Sequence, residues 1–505
     1  MQTVSEKQKP LDVLILAAGL GTRMRTNQAK VLHRLDGRPL INHVSRTASA
    51  LAPGKIYVVI GHQGDEVKRA VAEELREDKT QFVVQERQLG TGDAVNAARK
   101  FLEKQDSTLV ILSGDVPMIR PETLAGLVQH HRSHRGRGAA GTILTVKLGD
   151  PTGYGRIIRD REGLFEKIVE QKDASETELQ IKEINAGIYC FETGKLFDAL
   201  ARVKNDNAQQ EYYLTDVPGL LRDEGEDIAI YNHHDAFEIE GVNNRLQLAD
   251  LERLLRRRTV SRLMLDYGVT FIDPKSAYIS EQASIGRDTV IHPNVTIEGN
   301  TAIGDGCEIR AGSRIANSTI GRSVRILDNC MIVDSEIRDS VVVGPMAHLR
   351  GGAIIEQNAK IGNFVEVKKS RVGRGSKASH LTYLGDATIG ENTNIGAGTI
   401  TCNYDGVRKN ETHIGSNVNI GSDTMLVAPV KVGDGASTGA GSVVTKDVES
   451  NAIVVGVPAR PMNVNDPKSV QAKRAVLTPE ESGARTENFE SRSDDFIASI
   501  KKGQD

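Results

Sequence analysis

The sequence predicts an α/β domain of the doubly wound, Rossmann-like class followed by a parallel β-helix. Short apolar runs alternate with helical patterns from residue 11 to about residue 240, and isoleucine then recurs at every sixth residue. The six-residue spacing fits neither the 3.6-residue period of an α-helix nor the two-residue period of a plain strand. It fits a coil whose flat sides each take six residues and point one aliphatic side chain inward.

The repeat defines a long solenoid with two expected interruptions. Its first inward positions are Ile279, Ile285, Ile291, Ile297, Ile303, Ile309 and Ile315. The rhythm is expected to break between about residues 368 and 388, and again between about 402 and 413. Insertions that interrupt a solenoid usually project from one face and often form its binding surface. The two interruptions therefore mark a candidate binding face.

Length and boundaries predict four segments in the 505-residue chain. The α/β domain is expected over residues 1–242, with buried parallel strands at 13–16, 56–60 and 109–112. A linker helix is expected over 243–266 and the β-helix over 267–463. Residues 464–505 are polar and charged with few aliphatic side chains, which predicts a disordered tail.

Composition and charge exclude several partner classes. The formal net charge of -3 gives no sign of nucleic-acid binding. No apolar run approaches the ~20 residues that a membrane-spanning helix needs, and the N-terminus does not have the pattern of a signal peptide. Four scattered cysteines show no zinc-ligand spacing, so reduced thiols and a cytoplasmic protein are expected.

The first predicted strand leads into a glycine-rich turn. Leu16 is followed by Ala17-Ala18-Gly19-Leu20-Gly21-Thr22-Arg23-Met24, with Lys30 further on. Such a turn lets backbone N–H groups approach phosphates without a Cβ clash. Alone it is also compatible with a simple strand–helix turn, but two cations beside it favour a site for a triphosphate and its pyrophosphate leaving group.

A second strand ends in a carboxylate. The run 109–112 leads into Ser113-Gly114-Asp115, and ligands of α/β domains bind at the carboxyl ends of parallel strands. Asp115 is therefore the first candidate for a Mg²⁺ ligand, since hard cations take oxygen ligands.

These motifs resemble the sugar-nucleotidyltransferase superfamily, whose signature is close to L-A-A-G-x-G-T-R-M with a following lysine. One departure is Ala29, because the superfamily usually has proline before that lysine. The resemblance implies that Arg23 and Lys30 are catalytic, and that Asn243 joins Asp115 on Mg²⁺. It also implies nucleotide contacts from Leu16, Ala17, Ala18, Gly19 and Lys30, uracil contacts from Gln85, Gly90 and Thr91, and sugar contacts from Gly155, Glu170 and Asn185. Asn243 is a further implied substrate contact.

His380 is the candidate base of a second site in the solenoid. It stands in the first expected interruption among polar neighbours, and a group with a pKa near 6.5 suits proton removal at neutral pH. Acetyl transfer from a thioester to an amino sugar needs such a base and donors for the oxyanion. A lone histidine is otherwise more often structural, so this assignment depends on its surroundings.

Residues 362–370, 375–386 and 394–406 resemble a bacterial family of bifunctional N-acetylglucosamine-1-phosphate uridyltransferases and glucosamine-1-phosphate N-acetyltransferases. The resemblance implies that His380 is the base, with Arg350 and Lys368 on the sugar phosphate and Tyr383 and Asn394 on the sugar. The implied acetyl-coenzyme A contacts are Ala397, Asn403, Tyr404, Ser422, Ala440 and Arg460. Gly351 departs from the proline that relatives often have after the arginine, and Cys402 carries no sign of an activated thiolate.

The resulting prediction is a two-site enzyme. The β-helix acetylates glucosamine 1-phosphate with acetyl-coenzyme A, and the α/β domain then couples N-acetylglucosamine 1-phosphate to UTP and releases pyrophosphate. The resemblance further implies Mg²⁺, a left-handed coil, a homotrimer, and a role in supplying UDP-N-acetylglucosamine for the bacterial cell wall.

Three alternatives stay open from the sequence. One is a single-function nucleotidyltransferase whose β-helix only oligomerises. Another is a single-function acetyltransferase with an inactive α/β domain. The third is a non-catalytic scaffold that uses the solenoid as a spacer.

Overall fold

The computed structural model describes residues 9–19 and 21–462, which form two compact units. The units divide between Leu254 and Leu255, within the helix Arg245–Tyr267. The segment 464–505, for which disorder is predicted, lies outside the described residues. The predicted segment boundaries stay predictions.

The first unit is built on a mixed sheet with helices on both faces. Seven strands lie side by side in the order β11-β7-β10-β6-β1-β4-β5. Strand β8 pairs with β10, and β9 pairs with β8. The strands are β1 (Leu11–Leu16), β2 (Arg34–Leu35), β3 (Arg38–Pro39), β4 (Ile56–Ile60), β5 (Thr80–Val84), β6 (Thr108–Ser113), β7 (Gly141–Lys147), β8 (Arg156–Arg159), β9 (Phe165–Val169), β10 (Glu183–Glu192) and β11 (Ile228–His233).

The α-helices connect these strands. They are α1 (Leu40–Ala50), α2 (Gly64–Ala72), α3 (Thr91–Asn96), α4 (Arg99–Leu102), α5 (Pro121–Ser133), α6 (Glu176–Leu179), α7 (Thr193–Leu200), α8 (Val217–Asp223) and α9 (Arg245–Tyr267). Short 3₁₀ turns cover Thr22–Met24, Lys30–Leu32, Glu77–Lys79, His134–Gly136, Leu214–Asp216 and Ala236–Ile239.

Alternation along the buried strands explains the two apolar cores. Val13 and Ile15 pack on one face of the sheet with Val44 of α1, whereas Leu14 packs on the other face with Phe197 of α7. Successive side chains of a strand point to opposite faces, so a continuous aliphatic run suits a sheet covered on both sides. The doubly wound prediction is therefore confirmed.

Strand β10 was not predicted to differ from its neighbours. It runs antiparallel to both β6 and β7, whereas β1, β4, β5 and β6 are mutually parallel. Its register with β7 shifts between Asn185 and Tyr189, which marks a β-bulge. Bulges re-aim side chains, and this one lies next to the carboxyl end of β6.

The second unit is a solenoid of three parallel sheets, here called S1, S2 and S3. S1 contains Thr270–Phe271, Val290–Ile291, Glu308–Ile309, Arg325–Ile326, Val342–Val343, Lys360–Asn363, Lys377–His380, Asn394–Ile395, Asn419–Ile420, Ser437–Thr438, Ile453–Val455 and an antiparallel last strand, Arg460–Pro461.

S2 contains Tyr278–Ile279, Thr296–Glu298, Arg314–Ala316, Met331–Val333, His348–Arg350, Glu366–Lys368, Tyr383–Gly385, Ile400–Cys402, Met425–Val427 and Val443–Val444. S3 contains Ser284–Ile285, Ala302–Ile303, Thr319–Ile320, Glu336–Ile337, Ile354–Ile355, Arg371–Val372, Ala387–Ile389, Thr412–Ile414 and Val430–Val432.

The repeat residues fill one continuous core, as the six-residue period predicts. Ile279, Ile285 and Ile291 take consecutive sheets and are all buried in the same cluster. Each strand pairs in parallel with the strand one coil later, for example Ile291 with Ile309. The predicted architecture, an α/β domain followed by a left-handed parallel β-helix of hexapeptide repeats, is confirmed.

One of the two expected interruptions is wrong. Ala378 and Leu384 occupy inward positions between Val372 and Ile389, so the coil continues through residues 368–388. The period is hidden in the sequence because a small alanine replaces the usual branched side chain. The second interruption is present: 25 residues separate the register partners Asn394 and Asn419, against 18 between Ile291 and Ile309 and 17 between Ile309 and Ile326.

Two further expectations concern cysteines and membrane spans. Cys190, Cys307, Cys330 and Cys402 are all free thiols. Among the described residues, no helix combines the length and apolar character that crossing a bilayer would require.

Candidate active sites

The first candidate site lies at the carboxyl ends of β1 and β6. The two strands end in register, with Leu16 beside Ser113, and the backbone N–H of Gly114 donates to Leu16 O at 2.9 Å. This pairing places the glycine-rich turn next to Asp115. Ala17 and Ala18 are buried, and Gly19 is exposed at the turn.

Four predicted residues meet at this edge. Lys30 Nζ forms a short ion pair with Asp115 and lies 3.3 Å from Asn243 Oδ1. Arg23 also donates to Asn243 Oδ1, at 2.8 Å. The Lys30 and Asp115 side chains are only 16% and 18% exposed, so this pair is partly shielded from solvent. The two predicted cations and the two predicted metal ligands thus form one cluster.

The start of α9 fixes Asn243. The backbone N–H of Gln247 donates to Asn244 Oδ1 at 2.9 Å, and Gln247 Oε1 accepts from the N–H of Asn243 at 2.8 Å. This reciprocal arrangement is a helix cap. The N–H of Val242 also donates to Asp115 O at 3.0 Å, which ties this segment to the end of β6.

The donor set fits a Mg²⁺ ion. One carboxylate and one amide oxygen already point at a single cation, the Lys30 ammonium. Mg²⁺ is commonly held by one or two carboxylates, with substrate phosphates and water completing its shell. Across residues 9–19 and 21–462, no group of three or more His, Cys, Asp or Glu side chains forms a metal site.

The predicted uracil contacts also come together. Gln85 follows β5 and is buried; its Nε2 donates to Asp93 at 2.7 Å and to Gly90 O at 3.3 Å. Gly90 has φ +111, and a Cβ there would lie 2.6 Å from Tyr212 O, so only glycine fits. Thr91 Oγ1 accepts from the N–H of Leu214 at 3.1 Å.

The predicted sugar contacts form a separate group. The N–H of Asn185 donates to Gly155 O at 3.0 Å, and Asn185 Nδ2 donates to Tyr189 Oη at 2.6 Å. Thr215 donates to Glu170 Oε1 at 3.2 Å. Burial raises the pKa of Glu170, and the bond from Thr215 offsets part of this effect.

Sequence reasoning missed the segment that links the last two groups. Residues 212–215 contact Gly90 and Thr91 at one end and Glu170 at the other. Asp216 follows directly, and burial raises its pKa to about 6. The run Glu211-Tyr212-Tyr213-Leu214-Thr215-Asp216 is a polar–aromatic loop pattern that could have drawn attention to it.

The second candidate site follows one corner of the solenoid, between S1 and S2. His380 and Asn363 are register partners, and Lys377, Asn394, Asn419 and Ser437 are successive partners along S1. Counting three residues onward from each strand start gives a corner column, defined here as Asn363, His380, Ala397, Ser422 and Ala440. The predicted coenzyme contacts Ala397, Ser422 and Ala440 therefore lie on the three coils that follow the predicted base, at the same corner.

Asn363 contacts His380 directly. His380 Nδ1 lies 2.7 Å from Asn363 Oδ1. An amide oxygen only accepts hydrogen bonds, so Nδ1 carries the proton and donates. The lone pair of the neutral ring is then on Nε2. Sequence reasoning missed this partner, which is 17 residues away.

Cations line the neighbouring side of the corner in S2. Arg350 and Lys368 are register partners, and Arg350 Nε donates to Glu366 at 2.8 Å. Lys409, which sequence reasoning missed, lowers the pKa of Lys368 because the two amines lie within hydrogen-bonding range. Three basic side chains on this side of the corner suit an anionic ligand.

Tyr383 and Asn403 lie over Gly385. A Cβ on Gly385 would overlap Tyr383 Oη and lie 2.8 Å from Asn403 Nδ2. Asn403 Nδ2 donates to Asp386 at 2.6 Å, and Asn394 donates to Asn419 at 3.1 Å.

Two predicted coenzyme contacts lie at the margins of this site. Tyr404 is exposed in the second interruption, after the S2 strand Ile400–Cys402, and its hydroxyl group donates to Gly406 O at 2.6 Å. Arg460 pairs with Val455 beyond the last full coil, and its guanidinium donates to the carbonyl oxygen of its neighbour Ala459 at 3.1 Å. The geometry does not bring Arg460 into contact with the other site residues among those described.

Comparison with known proteins matches both units. A nucleotidyl transferase family model matches residues 12–236, a GMPPB C-terminal domain model matches 273–372, and a bacterial transferase hexapeptide model matches 411–446. A protein of Shouchella clausii, named bifunctional protein GlmU, is 46% identical over 452 residues, covering 90% of this chain and 97% of the relative. The chain belongs to the GlmU family.

Two further relatives support this assignment. Proteins of the same name from Pelobacter propionicus and Geotalea uraniireducens are 48% and 47% identical and cover 88% and 90% of this chain. The prediction of a bifunctional enzyme, with a nucleotidyltransferase domain and a hexapeptide acetyltransferase domain, is confirmed. Membership of the GlmU family favours this prediction over the three alternatives.

Proposed function

We propose that the solenoid unit transfers an acetyl group from acetyl-coenzyme A to glucosamine 1-phosphate, and that the α/β unit transfers a uridylyl group from UTP to the product. The single observation that carries the acetyl half is the pair formed by His380 and Asn363 in a column of small side chains. The cluster of Arg23, Lys30, Asp115 and Asn243 carries the other half.

In the acetyl transfer, the amine nitrogen of the sugar attacks the thioester carbonyl carbon. The ammonium form has no electron pair to donate, so it first releases one proton to solvent. As the resulting amine attacks, His380 Nε2 takes the second proton, which the nitrogen must lose to become an amide. The carbon–sulfur bond then breaks, and the coenzyme leaves as a thiol that takes the proton back from His380. Arg350, Lys368 and Lys409 hold the sugar phosphate, while Tyr383 and Asn394 orient the sugar.

Direct attack is proposed because Cys402 is unsuited to form an acyl intermediate. Burial raises the pKa of the Cys402 thiol, whereas a nucleophilic cysteine needs a lowered pKa. Ala397, Ser422 and Ala440 follow His380 in the corner column, and their small side chains are proposed to face the extended coenzyme arm. Asn403, Tyr404 and Arg460 are proposed as further coenzyme contacts.

In the uridylyl transfer, a phosphate oxygen of N-acetylglucosamine 1-phosphate attacks the α-phosphorus of UTP. The bond to the β-phosphate breaks, and Arg23 and Lys30 stabilise the departing pyrophosphate. Leu16 to Gly19 surround the phosphates, while Gln85, Gly90 and Thr91 bind uracil. Gly155, Glu170 and Asn185 bind the sugar. Asp115 and Asn243 would hold Mg²⁺, which supplies charge neutralisation at the attacked phosphate.

A homotrimer and a cytoplasmic location complete the proposal. Phe364 and Leu381 follow Asn363 and His380 in the chain and are 55% and 61% exposed. Large apolar side chains beside a catalytic base favour coverage by a second copy of the chain. UTP and acetyl-coenzyme A are cytoplasmic metabolites, and the nucleotide sugar formed supplies cell-wall synthesis.

Product analysis tests the function directly. The full chain is incubated with glucosamine 1-phosphate, acetyl-coenzyme A, UTP and Mg²⁺, and the products are identified by mass spectrometry. We expect UDP-N-acetylglucosamine, free coenzyme A and pyrophosphate in equal amounts. Absence of acetylated sugar would overturn the acetyl half, and acetylated sugar without pyrophosphate release would overturn the uridylyl half.

A further inference from the structure

Gln63 bridges the loop that carries Lys30. Its Oε1 accepts from the backbone N–H of Ala29 at 2.6 Å, and its Nε2 donates to the backbone carbonyl of Asn27 at 2.9 Å. One side chain from the start of α2 therefore satisfies two backbone groups immediately before Lys30. Within the described residues, these two hydrogen bonds connect the N-terminus of α2 to the backbone of residues 27–29.

The backbone of Gln63 is itself in an unusual state. It has φ +55 and ψ 38, the left-handed region that residues with a Cβ rarely adopt. Glycine would take this conformation without strain. Gly64 follows as the first residue of α2, so the position is a helix entry at which the local turn does not require a glutamine side chain.

The bridged loop leads directly into Lys30, one member of the cationic cluster. Ala29 is buried with φ -55, and Lys30 begins the 3₁₀ turn Lys30–Leu32. The Lys30 ammonium reaches Asp115 and Asn243 across the cleft. A displacement of this loop would move the ammonium away from the phosphate that it is proposed to stabilise.

We propose that Gln63 is a positioning residue for uridylyl transfer, acting through the Asn27–Ala29 backbone to hold Lys30 at the leaving pyrophosphate. This inference rests on the proposed function of the α/β unit. It assigns no contact between Gln63 and substrate. The Gln63 side chain holds the loop before Lys30 in position, although glycine would be less strained in the left-handed backbone conformation of residue 63.

The test uses Gln63→Gly and Gln63→Glu in the full chain, with Gln129→Ala on the exposed face of α5 as the matched control. Gln63→Gly relieves the backbone strain but removes both bonds, so we expect an unfolding temperature close to that of the wild type. Its kcat for uridylyl transfer is expected to fall about 10- to 100-fold, because small misplacements of a catalytic group are costly. Gln63→Glu keeps the acceptor for Ala29 and should retain more activity.

The acetyl transfer of the same variants is the internal control and should not change. An unchanged uridylyl kcat in Gln63→Gly, beside an active wild type, would overturn this inference alone. An equal loss of both activities would also overturn it, since it would indicate general damage to the chain. A wild type without uridylyl transfer would instead overturn the proposed function on which the inference rests.

Discussion

His380 and Asn363 form a hydrogen-bonded pair across adjacent coils, with Nδ1 2.7 Å from Oδ1. Because the amide oxygen can only accept, the pair places a proton on Nδ1 and leaves Nε2 as the atom that can carry the lone pair. The solenoid register thus selects the tautomer of the base.

Replacing Asn363 should therefore impair acetyl transfer alone. We expect Asn363→Ala to lower the acetyl-transfer kcat about 10- to 100-fold, since the ring loses its fixed tautomer and orientation. In Asn363→Asp, a carboxylate beside the ring favours its protonated form, so the acid limb of the pH–rate profile should shift to higher pH. Unchanged profiles in both variants would contradict this role.

The two active sites should be separable by single substitutions. His380→Ala is expected to abolish acetyl transfer and spare uridylyl transfer, while Asp115→Asn should do the reverse. The physical reason is that each side chain belongs to a different compact unit. Separate assays of coenzyme A release and pyrophosphate release measure the two rates. Retention of acetyl transfer in His380→Ala would remove the histidine from the mechanism.

Lys409→Ala should weaken binding of the sugar phosphate. We expect the KM for glucosamine 1-phosphate to rise about tenfold with little change in kcat, because one of three neighbouring cations is lost. The difference from the wild type should shrink as salt is added, since salt screens exposed charges. Lys446→Ala, an exposed lysine of the same solenoid, is the control. Equal KM values for the Lys409 variant and the control would reject the assignment.

Asp216→Asn should stabilise the protein near neutral pH. Burial raises the pKa of Asp216 to about 6 from 3.8, so the folded state favours the protonated form. Its stabilising contribution is fully present below pH 3.8 and is lost as the pH rises through 6. Asparagine imitates the neutral form, and the shift corresponds to about 3 kcal/mol before solvent screening is considered. Because Asp216 is only partly buried, we expect the free energy of unfolding at pH 8 to rise by about 1–2 kcal/mol. Denaturant unfolding at pH 8 and pH 4 measures this gain, which should fall at the lower pH.

The matched control for that measurement is Asp198→Asn, an exposed position on α7. It should change the free energy of unfolding little at either pH. If the Asp216 variant gained as much at pH 4 as at pH 8, ionisation of this carboxyl would not be the cause.

The parts of the fold predicted from sequence are those that depend on side-chain period. Isoleucine spacing predicted the inward positions from Ile279 onward, and aliphatic runs predicted the parallel strands. Where the period is carried by Ala378, the prediction failed, because a small inward residue is indistinguishable from a surface one. The antiparallel direction of β10 was also missed, since a buried strand has the same apolar pattern in either direction.

The candidate sites divide along a similar line. Motifs close in sequence, such as the turn containing Arg23, indicated their chemistry directly. Gln63, Asn363 and Lys409 did not, because their importance arises from pairing with residues distant in the chain. A single polar residue has no periodic signal, so only the register of the folded coils identifies its partner.

The corner column also gives the acetyl site a length scale. Successive coils of a parallel sheet are stacked at a fixed interval of about 4.8 Å, so the three steps from His380 to Ala440 cover about 14 Å. The number of coils, and not the conformation of a loop, therefore determines the length of the surface available to the bound thioester arm. If one whole coil between these residues were removed, the flanking strands could pair in the same parallel manner, but the column would be one interval too short for the arm.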